Sequence, residues 1–192
     1  MTSFDYFDLR IGRDRAAQRT LAIRLQGDAA PPLAVFAPLL GFPSNALLVL
    51  NRAGEGPDPR QAPGVVSGEH HHLTATLRPS APTSPQPGGI YVHNWFTINV
   101  GAVDEFVRLS GEAWPDFEAR FETRIYGLLL ADETAADRAE GARRLLLMTR
   151  YRDLGEWQVS RDPTTDAMAV FLRRRDLTRV SLARACLVMP PA

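Results

Sequence analysis

Ile90-Tyr-Val-His-Asn-Trp-Phe-Thr-Ile-Asn99 is the stretch on which the reading of this chain turns. Side chains along a strand point alternately to its two faces. One face here reads Ile90, Val92, Asn94, Phe96 and Ile98, apolar except at Asn94, and belongs against helices. The other reads Tyr91, His93, Trp95, Thr97 and Asn99. That face is large, aromatic and supplied with polar handles, which suits the lining of an enclosed interior.

Downstream, Val103, Phe106, Val107 and Leu109 recur at helical spacing, with Asp104, Glu105 and Arg108 opposite. Glu112 to Phe121 continues that helix through Trp114 and Phe117, and Pro115 predicts a kink or a break within it. Apolar runs at Ile125–Leu130 and Leu145–Tyr151 read as strands, Asp166–Arg175 as a helix and Val180–Val188 as a last strand. Strand–helix–strand–strand–helix–strand is the ferredoxin-like split βαβ order.

Upstream the same order begins again. Tyr6–Ile11 reads as a strand, Asp14–Gln26 as a helix, and Ala37–Phe42 and Ala46–Asn51 as strands. Arg24-Leu-Gln-Gly-Asp-Ala answers Arg108-Leu-Ser-Gly-Glu-Ala, each with proline shortly after, and Leu39-Leu-Gly-Phe answers Ile125-Tyr-Gly-Leu. Order plus local matches predicts a tandem repeat. The first half departs from its partner after the third strand: the Gly/Pro-rich stretch Gly54–Gly68 replaces a second helix, and His72–Arg78 is the expected closing strand. Pro79–Gly89 cannot sustain helix or central strand and reads as an exposed linker. The expectation is an α+β chain of two ferredoxin-like halves, residues 1–79 and 90–192, joined by residues 80–89.

Bulk composition narrows the function. The 192 residues are 45% hydrophobic and 23% charged, ordinary for a globular protein. Lys plus Arg and Asp plus Glu number 22 each, so there is no basic excess of the kind that marks nucleic-acid binding. The single cysteine, Cys186, precludes an internal disulfide and reads as a buried structural thiol. The opening MTSFDYFDLR has no apolar core of a signal peptide, and no run reaches the ~20 apolar residues of a membrane span. A cytoplasmic location is expected, with a small-molecule ligand as partner and neither nucleic acid nor membrane.

Two segments carry a resemblance. Thr97-Ile-Asn-Val-Gly leads into Gly101-Ala-Val-Asp-Glu-Phe, and Tyr151-Arg-Asp-Leu-Gly-Glu-Trp157 is followed by Arg161-Asp-Pro. In these the stretch from about Ile90 to Val188 resembles the NIPSNAP family of the dimeric α/β-barrel superfamily. The resemblance implies tandem halves whose sheets pair face to face into a barrel, so that one chain is an internal pseudo-dimer. It carries over no catalytic residues. Relatives in the wider superfamily include cofactor-free monooxygenases, haem-degrading enzymes and lactone isomerases, and kinship of fold does not choose among them.

Aligning Ile11 with Ile98 sets Tyr6, Asp8 and Arg10 against His93, Trp95 and Thr97, so both halves turn a polar-aromatic face inward. On a functional reading His93 is a general base, Trp95 a stacking wall, and Tyr91, Thr97, Tyr6, Asp8 and Arg10 ligand contacts. On a structural reading the same residues fill the barrel and satisfy one another. Two functions follow. The first is a binding module holding a small molecule in the barrel interior. The alternative is a cofactor-free monooxygenase or isomerase acting on an aromatic or polyketide-like substrate.

The remaining motifs are weaker. His70-His71-His72 reads as a polar opening to a strand; His70 and His72, joined by Glu69 or His93, are the one alternative for a metal, and no metal or cofactor is expected. Glu118, Arg120, Glu122 and Arg124 read as a solvated rim, and Arg173-Arg-Arg175 as cations complementing a helix dipole, with an anion or partner site there as the alternative. Trp114 and Trp157 are candidate contacts should the chain form a homodimer rather than close its barrel alone as a monomer.

Overall fold

The computed structural model describes residues 1–12 and 16–190. Its strands are β1 (Ser3–Ile11), β2 (Ala34–Leu40), β3 (Ala46–Arg52), β4 (Val65–Ala75), β5 (Ile90–Asn99), β6 (Thr123–Ala131), β7 (Ala142–Tyr151) and β8 (Thr178–Val188). The helices are α1 (Ala17–Gln26), α2 (Val103–Arg120), α3 (Ala135–Glu140), α4 (Leu154–Val159) and α5 (Asp166–Arg175). All strand pairs are antiparallel and close into a barrel in the order β1-β3-β2-β8-β5-β7-β6-β4.

Within that ring, β4-β1-β3-β2 and β8-β5-β7-β6 repeat one order: the fourth strand of each set lies beside its first, then come the third and the second. This is the ferredoxin-like arrangement twice over. Two seams join the sets, β2 to β8 with Phe36 opposite Val188, and β4 to β6 with Leu73 opposite Ala131. Each fourth strand thus finds its outer neighbour in the other set, which is how a pseudo-dimer removes four exposed sheet edges at once.

Alternation along the strands sorts the core into layers. Phe4, Tyr6, Phe36, Leu48, Leu50, Leu73, Tyr91 and Met148 point into the barrel and form one cluster. Ile90, Val92, Phe96 and Ile98 point outward from β5 against Phe106, Trp114 and Phe117 of α2. Burying each of those rings contributes roughly 1.5–3 kcal/mol. On the first set, Phe7, Leu9 and Ile11 face Leu21 and Leu25 of α1 instead.

Several boundaries differ from the sequence expectation. The first helix is described from Ala17, and Asp14 lies outside the described residues. The strand expected at His72–Arg78 is β4, which begins at Val65 and ends at Ala75. Its polar residues obscured it, yet they ladder against β1 from Val65 opposite Ile11 to Thr74 opposite Ser3. The irregular stretch is correspondingly shorter and holds a 3-10 turn, Pro59–Gln61, capped by Asp58. Pro115 does not split α2, which runs unbroken through it with Trp114 and Phe117 buried on either side.

The segment after β4 is pinned across one end of the barrel. Tyr126 Oη donates to the Thr83 carbonyl at 2.8 Å and Tyr91 Oη to that of Gln86 at 3.0 Å. Gly89, at φ +68°, ends it where a Cβ would stand 2.2 Å from the Tyr151 carbonyl oxygen, so only glycine passes. Glu118, expected on a solvated rim, is instead a fastening point between α2 and the sheet. Its carboxylate takes both Nη atoms of Arg78, at 2.9 and 3.1 Å, and the Ile125 amide at 2.7 Å.

Candidate functional site

The polar-aromatic face of β5 divides between three places. Tyr91 is buried at the end covered by the linker, where Gln86 satisfies its hydroxyl. His93 is 0% exposed, in the middle of the barrel. Its Nδ1 lies 3.0 Å from Tyr6 Oη and its Nε2 3.5 Å from Cys186 Sγ, which in turn donates to the Tyr91 carbonyl at 3.6 Å. Burial pushes the His93 pKa down to about 3, so the ring is neutral. It borders neither of the cavities described below.

Trp95 and Thr97 lie at the open end, together with Tyr6 and Asp8 from β1, around a pocket of about 160 Å³. Glu69, His71, Arg144 and Arg184 complete it. Arg10 bonds Asp8 from the side. Six of the residues singled out in the sequence are therefore near one another, in two groups: Tyr6, Asp8, Arg10, Trp95 and Thr97 at the mouth, and His93 beneath Tyr6.

His70 and His72 point away from that mouth, onto the outer face of β4. His70 Nε2 is 2.8 Å and His72 Nδ1 3.1 Å from one oxygen of Asp5, whose other oxygen accepts from the Gly54 amide. The companions considered from sequence are elsewhere: Glu69 lies 3.6 Å from His71, and His93 is inside the barrel. Among the described residues no group of three His, Cys, Asp or Glu side chains is arranged to hold a metal ion.

A second cavity, about 280 Å³, lies on the opposite face of β5, between the sheet and the helices. Val92, Phe96 and Leu147 form its floor, and Phe117, Trp157 and Phe171 its walls. Thr165 caps α5 through the Met168 amide and Asp153 caps α4 through the Glu156 amide, which fixes where the two short helices begin above the sheet. The volume is near the lower end of the ~300–1,000 Å³ usual for ligand sites.

The polar groups of this cavity are cationic or neutral. Arg174 is 7% exposed; its Nη1 donates to Ser110 Oγ at 3.0 Å and its guanidinium lies 4.6 Å from the Phe171 ring centre and 5.0 Å from that of Phe96. No carboxylate pairs with it among the described residues. Burial, and then the neighbouring Arg161, lower its pKa to about 10. Arg161 Nη2 donates to Tyr151 Oη at 2.9 Å and lies over Trp157. Burial raises the Tyr151 pKa, so that phenol stays protonated. Among the described residues, no acid and no imidazole lines the cavity.

Arg174 belongs to the run whose first reading is as cations complementing a helix dipole, and nothing in three consecutive arginines tells which of them turns inward. The motif Tyr151–Trp157 with Arg161 was a usable signal, since all three named side chains border the cavity.

No protein-family model and no curated protein sequence matches the chain. Its fold is similar to that of an anthrone oxidase-like protein, at 12% identity and TM-score 0.64, over 98% of this chain and 92% of that one. It is similar also to an uncharacterized ferredoxin-fold protein of Listeria monocytogenes related to antibiotic biosynthesis monooxygenases, at 10% identity and TM-score 0.54, over 100% and 97% of the two chains. A monooxygenase-like protein of Listeria innocua gives 11% and 0.54, over 100% and 96%. At such identities the likeness is one of fold. The class is that of ferredoxin-like α/β barrels; nothing in the comparisons singles out NIPSNAP, whose resemblance rests on the motifs quoted above. Among the described residues, no helix is long and apolar enough to cross a membrane.

Proposed function

We propose that this chain binds a small aromatic molecule as its anion in the outer cavity, and that it is an oxygenase of the cofactor-free kind. The observation that carries the reading is Arg174: a guanidinium enclosed by phenylalanines, without a counter-ion, beside an apolar cavity of small-molecule size. An enclosed cation costs several kcal/mol unless an anion answers it. A phenolate or enolate answers it, with its rings against Phe96, Phe117 and Trp157.

The chemistry follows from the same groups. An aromatic enolate is electron-rich enough to reduce dioxygen directly, and the cations hold it in that form. With no carboxylate or imidazole among the described lining residues, the substrate's proton leaves to solvent through the open side of the cavity, while the apolar walls hold the reacting ring. The names of the fold relatives favour this chemistry over isomerisation. The reading also takes residues 1–79 and 90–192 as the two halves on either side of the 80–89 linker, and places this cavity in the second.

Anthrone is the direct test. Its methylene carbon is oxidised by one dioxygen to the anthraquinone carbonyl, the second oxygen atom leaving as water. Purified protein is expected to raise oxygen uptake above autoxidation, one dioxygen per anthrone, and Arg174→Met to remove the increment. Uptake at the autoxidation rate, with no saturable binding of anthrone, overturns the proposal.

A further inference from the structure

We propose that the open end of the barrel is a second, separate site, for a neutral planar heteroaromatic that carries an N–H donor. Three rings wall this pocket: Trp95 and His71 lie 4.8 Å apart at 55°, and Tyr6 stands edge-on to Trp95 at 6.0 Å. Its 160 Å³ has room for roughly ten non-hydrogen atoms at interior packing density, a fused two-ring system.

Charge around the pocket is largely committed. Asp8 is held by Arg10 and by Arg184, whose Nη1 is 3.4 Å away. Arg144 is held by Asp137 at 3.1 Å. Burial and Arg144 keep His71 neutral. Among the described residues each arginine of the pocket thus faces a carboxylate, Arg10 and Arg184 sharing Asp8 with Arg184 Nε left without an acceptor, and the exposed Glu69 is the carboxylate no arginine takes.

What is left open is a set of hydrogen-bonding groups. Trp95 and Thr97 line the pocket, and their side chains make no hydrogen bond with another described residue. Tyr6 contributes a defined polarity. The Tyr91 carbonyl can only accept, so Cys186 donates to it; the sulfur then accepts from His93 Nε2–H, and Nδ1 accepts from Tyr6. The phenolic proton is thereby turned inward onto His93, and Tyr6 borders the pocket as a ring. Glu69 accepts while Trp95 and Thr97 donate, which is the complement of a ring bearing N–H on one edge and a bare nitrogen on another.

Benzimidazole is the probe, and an indole N–H correlation spectrum of labelled protein is the readout. The chain has three tryptophans: Trp95 at the mouth, Trp157 at the outer cavity, and Trp114 in the helix layer. Titration into the millimolar range is expected to move the Trp95 signal saturably and leave that of Trp157 in place. N-methylbenzimidazole, which lacks the donor, is expected to bind at least tenfold more weakly, as is benzimidazole to Glu69→Ala. Thr97→Met, which fills the pocket from a half-exposed position, is expected to abolish the shift. A Trp95 signal that never moves, or moves only with Trp157, overturns the proposal; so does equal binding of the methylated probe. Because anthrone is read at Trp157, each site stands or fails alone.

Discussion

The two faces of β5 are built from one ten-residue strand and do opposite things. Inward, Tyr91 and His93 are enclosed among Tyr6, Phe36, Met148 and Cys186, and their polar atoms are answered by one another or by main chain. Outward, the nearly apolar row Val92, Asn94, Phe96 faces open volume and an arginine without a counter-ion. Polar residues on a strand mark where hydrogen bonds must be closed. Room is decided by what covers the strand, here two short helices that stand off the sheet.

The largest effect that tests this contrast belongs to His93. Its folded pKa, about 3, is below the ordinary 6.5, so the unfolded chain takes up a proton that the folded chain refuses. The stability this confers is complete above pH 6.5 and is lost as pH falls toward 3, by about 1.4 kcal/mol per pH unit. Urea denaturation between pH 6.5 and the carboxylate range measures the slope, which His93→Gln is expected to flatten. An unchanged slope in that variant means the interior is more open than described.

Next comes Arg174→Met. Anthrone binding is expected to weaken at least tenfold, about 1.4 kcal/mol, while thermal stability holds or rises, since the variant removes a buried charge with no ion pair. Calorimetry read beside Trp157 fluorescence separates the two. A loss of stability beyond about 2 kcal/mol would make the guanidinium a structural brace, stacked on its rings.

The smallest effect concerns the first half, where a loop takes the place of a helix. The Asp5 carboxylate, held below the usual range by the Gly54 amide, His70 and His72 despite partial burial, fastens that loop. Asp5→Ala is expected to speed exchange of the Gly54 amide and cost about 1 kcal/mol or less overall. Lowering pH through the Asp5 pKa has the same sign, because protonation removes the acceptor charge. Slower exchange in the variant would mean the loop is held by other contacts.

Much of the fold was legible. Period-two alternation in β5 separated interior from helix face correctly, and the repeated order of elements predicted both sheets. Alternation says which way a side chain points, not how full the space is; Phe4, Phe36 and Tyr91 arriving from three strands fill the barrel around His93. The start of β4 was illegible because Glu69–His72 carries no apolar row, its strand character coming from β1 alongside. Glu118 reads as solvated and Arg174 as a dipole partner, yet Arg78, three residues after β4, reaches the first, and α5 against α2 buries the second. Both burials depend on segments distant in sequence.

Closing the ring within one polypeptide has a further consequence. A barrel assembled from two identical chains is bound to a two-fold axis, so every substitution appears twice and must suit both places. Here the β2–β8 and β4–β6 seams are formed by unlike sequences. One set can shed a helix and lend its strands to the mouth of the barrel while the other keeps its helices and a pocket beneath them. Freedom from symmetry is what lets the two sheets of this molecule divide the labour.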